Sequence, residues 1–84
     1  MATGTIRYWA GARAAAGTET EPYAAATLAE ALDAARAARG PDFSRVLSVC
    51  SFLIDGDPVG TRPHADVALP EGATVEVLPP FAGG

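Results

Sequence analysis

Apolar and polar residues alternate from position 3 to position 10, and that alternation predicts a first strand. Ile6, Tyr8 and Ala10 fall on one face, Thr5, Arg7 and Trp9 on the other. Arg7 marks the second face as solvated, which leaves Trp9, a large apolar group, on the wet side. Residues 11–17, Gly-Ala-Arg-Ala-Ala-Ala-Gly, break the alternation and read as a loop. A second strand is expected over 18–23, at a sheet edge, because Pro22 has no N–H to give to a ladder. At residues 27–39 the period changes to that of a helix. Leu28, Leu32 and Ala35 form its apolar stripe, Thr27 and Glu30 have the spacing of a capping box, and Gly40-Pro41 is the stop.

Residues 41–47 read as irregular, with Phe43 and Val46 plugging one end of the core. A third, largely apolar strand follows over 49–54. Asp55-Gly56 is a turn signal, and 57–59 a short return strand. Residues 60–66 form a polar loop containing a solvated His64. A brief extended stretch (67–69) and a turn (70–72) lead into the last strand, 73–78, where Val75 and Val77 face one way and Thr74, Glu76 and Leu78 the other. One helix laid over one face of a mixed sheet is an α+β arrangement. The order of hairpin, helix and further strands suggests a β-grasp. Residues 1–78 are thus expected to form one domain, and residues 79–84, Pro-Pro-Phe-Ala-Gly-Gly, a tail.

That tail is the most unusual stretch. Two glycines without Cβ atoms make it thin, and two prolines stiffen its base. Six extended residues reach roughly 20 Å at about 3.3–3.6 Å each. Such an arm can pass a narrow channel and present a terminal carboxylate in a distant site.

Composition narrows what the arm can serve. The net charge is −4, and all six basic residues are arginines. With no basic stripe to displace counterions, nucleic-acid binding is not expected. No lysine is present, so the chain offers no side-chain amine to an acyl group. The glycines at 11 and 17 mimic a phosphate loop, but the spacing is one too long and Thr18 stands where the lysine is needed. Cys50 is the only cysteine and His64 the only histidine, which supports neither a disulfide nor a metal site. Cys50 is expected to pack as a small hydrophobe. No catalytic constellation emerges, and neither a secretory signal nor a membrane span is read, so a cytoplasmic protein is expected.

Three stretches resemble the MoaD/ThiS family of ubiquitin-like sulfur carriers, and its MoaD branch, the small subunits of molybdopterin synthase, most of all. They are Tyr8-Trp9-Ala10-Gly11-Ala12-Arg13 with Gly17 behind it, Ile54-Asp55-Gly56-Asp57, and Leu69 through the final Pro-Pro-x-x-Gly-Gly. Ala14, the turn Pro70-Glu71-Gly72-Ala73, and Phe81-Ala82 depart from the family pattern and leave the branch open.

The resemblance implies a carrier, not an enzyme, with no cofactor of its own. A MoeB/ThiF-like adenylating enzyme would use ATP to activate Gly84. A sulfurtransferase or cysteine desulfurase would then supply sulfur to leave a thiocarboxylate, with Gly83, Ala82 and Phe81 forming the arm. In the molybdopterin branch a MoaE-like large subunit would receive it, in a heterotetramer. Alternatives are a donor for thiamin, cysteine or a sulfur-containing natural product, and a protein modifier joined through Gly84. In a β-grasp the first and last strands are adjacent and parallel, so Trp9 and Leu78 are expected side by side on the outer face as a docking patch, extended by Val59. The competing reading covers Trp9 with a loop of the same domain. Arg13 is either a partner or phosphate contact or an ordinary loop arginine.

Overall fold

The computed structural model describes residues 1–80. The expected tail residues Phe81, Ala82, Gly83 and Gly84 lie outside the described residues. Strands β1 (Ala2–Tyr8), β2 (Thr20–Ala25), β3 (Ser51–Ile54), β4 (Asp57–Pro58) and β5 (Thr74–Leu78) form one sheet in the order β2-β1-β5-β3-β4. β1 runs parallel to β5, and the other pairings are antiparallel. This is the expected α+β β-grasp, with β2 at an edge. Ile6, Tyr8, Tyr23, Phe52, Val75 and Val77 project from the inner face into a core shared with Leu28, Ala31, Leu32 and Ala35 of the main helix.

That helix, α2 (Leu28–Ala37), starts as its sequence dictates. The Thr27 side chain accepts from the Glu30 N–H at 3.3 Å, and Glu30 Oε1 accepts from the Ala26 N–H at 2.8 Å, satisfying two otherwise orphaned donors. The turn between β3 and β4 also follows from its residues. Asp55 and Gly56 both have positive φ, 50° and 84°, the backbone of the tight hairpin turn that Asp-Gly favours. Asp55 Oδ1 further accepts from the Thr74 N–H at 2.9 Å, tying the turn to β5.

Two helices stand where loops were expected. Helix α1 (Ala10–Ala16) replaces the loop over 11–17, because its alanines outweigh the one glycine inside it, Gly11, while Gly17 caps its end. Its first residue, Ala10, therefore leaves the strand and is exposed instead of facing the core. Helix α3 (Pro41–Ser48) replaces the irregular stretch. Pro41 stops one helix but is equally suited to open the next, since the first helical residue needs no N–H. Phe43 and Leu47, four apart, bury the inner face of α3. The third strand shortens accordingly: Val49 caps α3 and is exposed. His64 belongs to a short 3₁₀ turn (His64–Asp66) and packs edge-on against Phe52, partly covered and not freely solvated.

Arg39 ties the three helices to the sheet. Its guanidinium donates to the Ala16 carbonyl at 3.0 Å and the Ala35 carbonyl at 3.1 Å, pairs with Glu21 at 2.9 Å, and lies 4.7 Å above the Phe43 ring. The Tyr8 hydroxyl donates to the same Glu21 carboxylate. Burial first, then the Glu21 hydrogen bond and charge, push the Tyr8 phenol well above its ordinary range, against an opposing pull from Arg39. Burial also raises the Tyr23 phenol.

Two predictions follow from this packing. A Cβ on Gly4 would lie 2.2 Å from the Ala73 carbonyl oxygen and 2.5 Å from the Tyr23 hydroxyl. The Tyr23 hydroxyl is held there by its own bond to that carbonyl, at 2.9 Å. Gly4→Ala should therefore lose about 2–3 kcal/mol in denaturant unfolding; a loss under about 0.5 kcal/mol would contradict the close approach. For Tyr8, a raised native pKa means that above the ordinary value near 10 the unfolded chain releases a proton that the folded one keeps. Stability is full below that pH and falls as pH rises past it. In Tyr8→Phe the alkaline slope should become shallower; an unchanged slope would refute the assignment.

Candidate functional site

Trp9 sits at the junction of β1 and α1, and three contacts fix it. Its N–H donates to the Val77 carbonyl at 3.1 Å, continuing the parallel pairing one residue past β1. Its indole Nε1 donates to Glu76 Oε1 at 3.2 Å. The Arg7 guanidinium lies 4.6 Å from the ring centroid, a cation–π arrangement. Arg7 also reaches Glu19 at 3.4 Å. The indole is thus oriented yet remains 39 % exposed. Among the described residues no loop buries it, which speaks against the covered reading.

Register places Leu78 beside it. Tyr8 pairs with Val77, so the next residues of the two parallel strands, Trp9 and Leu78, share the outer face. Between them lies a mostly apolar groove of about 720 Å³, walled by Trp9, Ala10 and Gly11 on one side and by Leu78, Pro79 and Pro80 on the other, with Ser51 alongside. The last two residues described, Pro79 and Pro80, are therefore part of the groove wall.

The expected patch is only partly this groove. Val59 does not belong to it, being 2 % exposed and packed in the core. Parity explains the correction. Leu53 pairs with both Glu76 and Pro58, which puts Pro58 on the outer face and turns Val59 inward. Arg13 is exposed on α1 and lines neither this groove nor the two clefts described below. Ala10, Gly11, Pro79, Pro80 and Ser51 were missed. Ser51 enters because it pairs with Leu78 across the antiparallel β3–β5 ladder, and no local pattern reveals that pairing.

Two further clefts are lined by polar and apolar groups in about equal measure. One, of about 510 Å³, is bordered by Arg36, Cys50 and His64, the other, of about 360 Å³, by Asp55, Asp57, Asp66 and Arg62. Cys50 is partly buried, donates its thiol to the Val46 carbonyl at 3.2 Å, and has its pKa raised by burial, which disfavours a reactive thiolate. Among the described residues no group of three or more His, Cys, Asp or Glu side chains gathers closely enough to hold a metal ion. Nor, among them, is any helix long and apolar enough to cross a membrane. What the arrangement offers is an oriented aromatic and an apolar trough at the root of the chain's last residues.

The profile described as the ThiS family matches residues 6–84. No curated protein matches the sequence. Among solved structures, the chain is similar to small archaeal modifier protein 1 from Methanosarcina acetivorans, with 21 % identity, 100 % of this chain and 98 % of that chain covered, and a TM-score of 0.85. The protein of the same name from Haloferax volcanii gives 24 % identity, coverage of 98 % and 99 %, and a TM-score of 0.79. A chain from the complex of subunits 1 and 2 of the molybdopterin-converting factor of Helicobacter pylori gives 20 % identity, coverage of 98 % and 99 %, and a TM-score of 0.69. At these identities the likeness is one of fold.

Stability separates the surface residue from the core residue. Val59→Ala should cost about 1–3 kcal/mol, whereas Trp9→Ala should cost less than about 1 kcal/mol, because Val59 belongs to the buried core cluster and the partly exposed Trp9 does not. Equal losses in chemical denaturation would contradict the placement of one or the other.

Proposed function

This chain belongs to the ThiS family of ubiquitin-like sulfur carriers, and from that membership we propose that it carries one sulfur atom as a thiocarboxylate on Gly84. The observation that supports this most is the apolar groove walled in part by Pro79 and Pro80, the second of them four residues before Gly84 in the sequence. A carrier needs a firm body for a partner to grip, close to an arm that reaches into the partner's site.

The chemistry sets what the partner must do. A terminal carboxyl group, with a pKa near 3.5, is an anion at neutral pH and resists nucleophilic attack. An adenylating enzyme joins it to the α-phosphate of ATP and releases pyrophosphate. A persulfide on a sulfurtransferase or cysteine desulfurase then attacks the acyl carbon through its terminal sulfur. The C–O bond to AMP breaks, the C–S bond forms, and the proton leaves to solvent. A second thiol reduces the acyl disulfide so formed, leaving the thiocarboxylate and an ordinary disulfide. The thiocarboxylate later gives its sulfur to an acceptor bound in a large subunit, where the arm replaces free sulfide with a high local concentration. Gly83 and Gly84 keep the arm narrow, and Ala82 adds little bulk. Trp9 and Leu78 dock an apolar surface of the partner, and the net charge of −4 draws partners with basic rims.

The likeness to a molybdopterin-converting factor subunit favours a molybdopterin precursor as acceptor, with a MoaE-like large subunit as partner. The likeness to the small archaeal modifier proteins favours a second reading, in which activated Gly84 is joined to amines of other proteins. Both readings share the adenylation step and diverge at the nucleophile.

Intact-mass spectrometry tests the proposal. With ATP, a ThiF-type adenylating enzyme and a sulfur donor, the chain should gain the mass of one oxygen-to-sulfur exchange, lost again in a variant lacking Gly84. No gain with an enzyme that adenylates the chain would overturn the carrier reading, and conjugates of higher mass would support the modifier reading. In the same assay Trp9→Ala should stay folded and raise the KM for the carrier about tenfold or more, as expected for a central aromatic contact; an unchanged KM would remove Trp9 from the docking face.

A further inference from the structure

We propose that the cleft beside β3 takes an extended peptide segment of a protein partner, one that carries a carboxylate, by pairing with the open edge of that strand. Alternate residues of an antiparallel strand turn their backbone groups to opposite neighbours. Asp55 donates its N–H to the Thr74 carbonyl at 2.9 Å, so Ser51 and Leu53, of the same parity, face β5. Cys50, Phe52 and Ile54 therefore face the β4 side. β4 is too short to cover them all, because it ends at Pro58. The Val59 N–H still reaches the Phe52 carbonyl at 3.0 Å, but the Val59 carbonyl does not take the Phe52 N–H in return. It accepts instead from the Arg62 N–H at 3.4 Å and from Arg62 Nε at 3.0 Å, as the chain turns away at Gly60. The Cys50 N–H is taken by the Leu47 carbonyl at 3.1 Å. Among the described residues, the Phe52 N–H and the Cys50 carbonyl are left without a hydrogen-bond partner.

Cys50 and Phe52 both line the cleft of about 510 Å³ that also holds Arg36 and His64. An unpaired strand edge is a template for another strand. An extended peptide supplies what this edge lacks, a carbonyl for the Phe52 N–H and an N–H for the Cys50 carbonyl. Charge then selects among such segments. Arg36, from the last turn of α2, and His64 line the cleft, and no aspartate or glutamate does. Asp33 steadies Arg36 at 2.9 Å from outside the lining, and the Phe52 ring holds His64 edge-on at 5.0 Å between centroids. In a chain of net charge −4 this is a local cationic and proton-donating spot, suited to a carboxylate and unsuited to a basic segment.

Ser51 borders both this cleft and the apolar groove. A partner seated on Trp9 and Leu78 thus has the cleft on the same surface. That link rests on the docking role given above to those two residues, whereas the open edge does not.

Amide NMR of the full chain, with neither ATP nor a sulfur source present, tests the cleft. The probe is the capped peptide Ac-Thr-Val-Thr-Asp-NH2, a β-forming sequence ending in one carboxylate. The Phe52 amide proton should shift downfield and saturably, together with the His64 ring signals, at a Kd of about millimolar order. The counterpart ending in Asn should bind about threefold to fivefold more weakly, and Arg36→Gln should weaken the Asp peptide by a similar factor, as expected for a partly exposed ion pair. Arg45→Gln, which removes an exposed arginine outside the cleft, should change nothing. N-methylation of the peptide backbone should abolish binding. No shift at Phe52 by about 20 mM peptide, equal affinity for the Asp and Asn peptides, or an equal loss in Arg45→Gln would overturn the proposal. Shifts confined to Trp9 and Leu78 would do so too, by placing the peptide in the apolar groove. So would a Phe52 signal that moves on dilution without peptide, which would give the edge to a second copy. Because no sulfur chemistry enters the measurement, its failure would leave the carrier reading standing, and the reverse holds.

Discussion

The parallel pairing of β1 with β5 is the constraint on which the rest of the structure depends. It joins residues near the two ends of the described chain, with the Thr5 N–H donating to the Ala73 carbonyl at 3.2 Å and the Trp9 N–H to the Val77 carbonyl at 3.1 Å. Side chains alternate across this seam. Ile6, Tyr8, Val75 and Val77 go inward and build the core; Arg7, Trp9, Glu76 and Leu78 go outward and build the site. A shift of one residue would exchange the two sets, sending an indole into the core and a phenol to the surface. The fold and the groove are therefore specified by one register. Gly4 and Tyr23 lock it at the far end, where the backbone passes too close for any side chain.

Arg39 supplies the second fixed point. It closes the ends of α1 and α2 through the Ala16 and Ala35 carbonyls, and it reaches the sheet through Glu21. Covering a charge in part favours the fold when its donors are satisfied, and here three nitrogens of Arg39 find oxygen partners while the guanidinium lies over the Phe43 ring. The functional effect is indirect. α1 begins at the groove wall and ends at Ala16, so anchoring its far end steadies Ala10 and Gly11 beside Trp9.

Much of this was legible in the residues, where the signal is local. The alternation of β1 and β5, the capping box of α2 and the Asp-Gly turn each state their structure within a few positions, and all of them stand in the fold. Helices α1 and α3 were not legible for the same kind of reason. A glycine-bounded run of alanines carries no periodic stripe, and a proline reads equally well as a stop or a start. Val59 shows a different limit. Its face depends on which residue of β3 it follows across a hairpin, a matter of register and not of composition. Ser51 shows the same limit from the other side, since it joins the groove only through pairing with a strand more than twenty residues away. Trp9 was recoverable because its own strand declares its face.

Native-state amide hydrogen exchange tests the seam most directly. If the β1–β5 pairing holds core and groove together, the Thr5 and Trp9 amides should exchange only through global unfolding, with a denaturant dependence equal to the m value of the whole domain. Exchange of either amide through a local opening, fast and nearly independent of denaturant, would mean that the seam frays while the core stays closed, and would contradict the account.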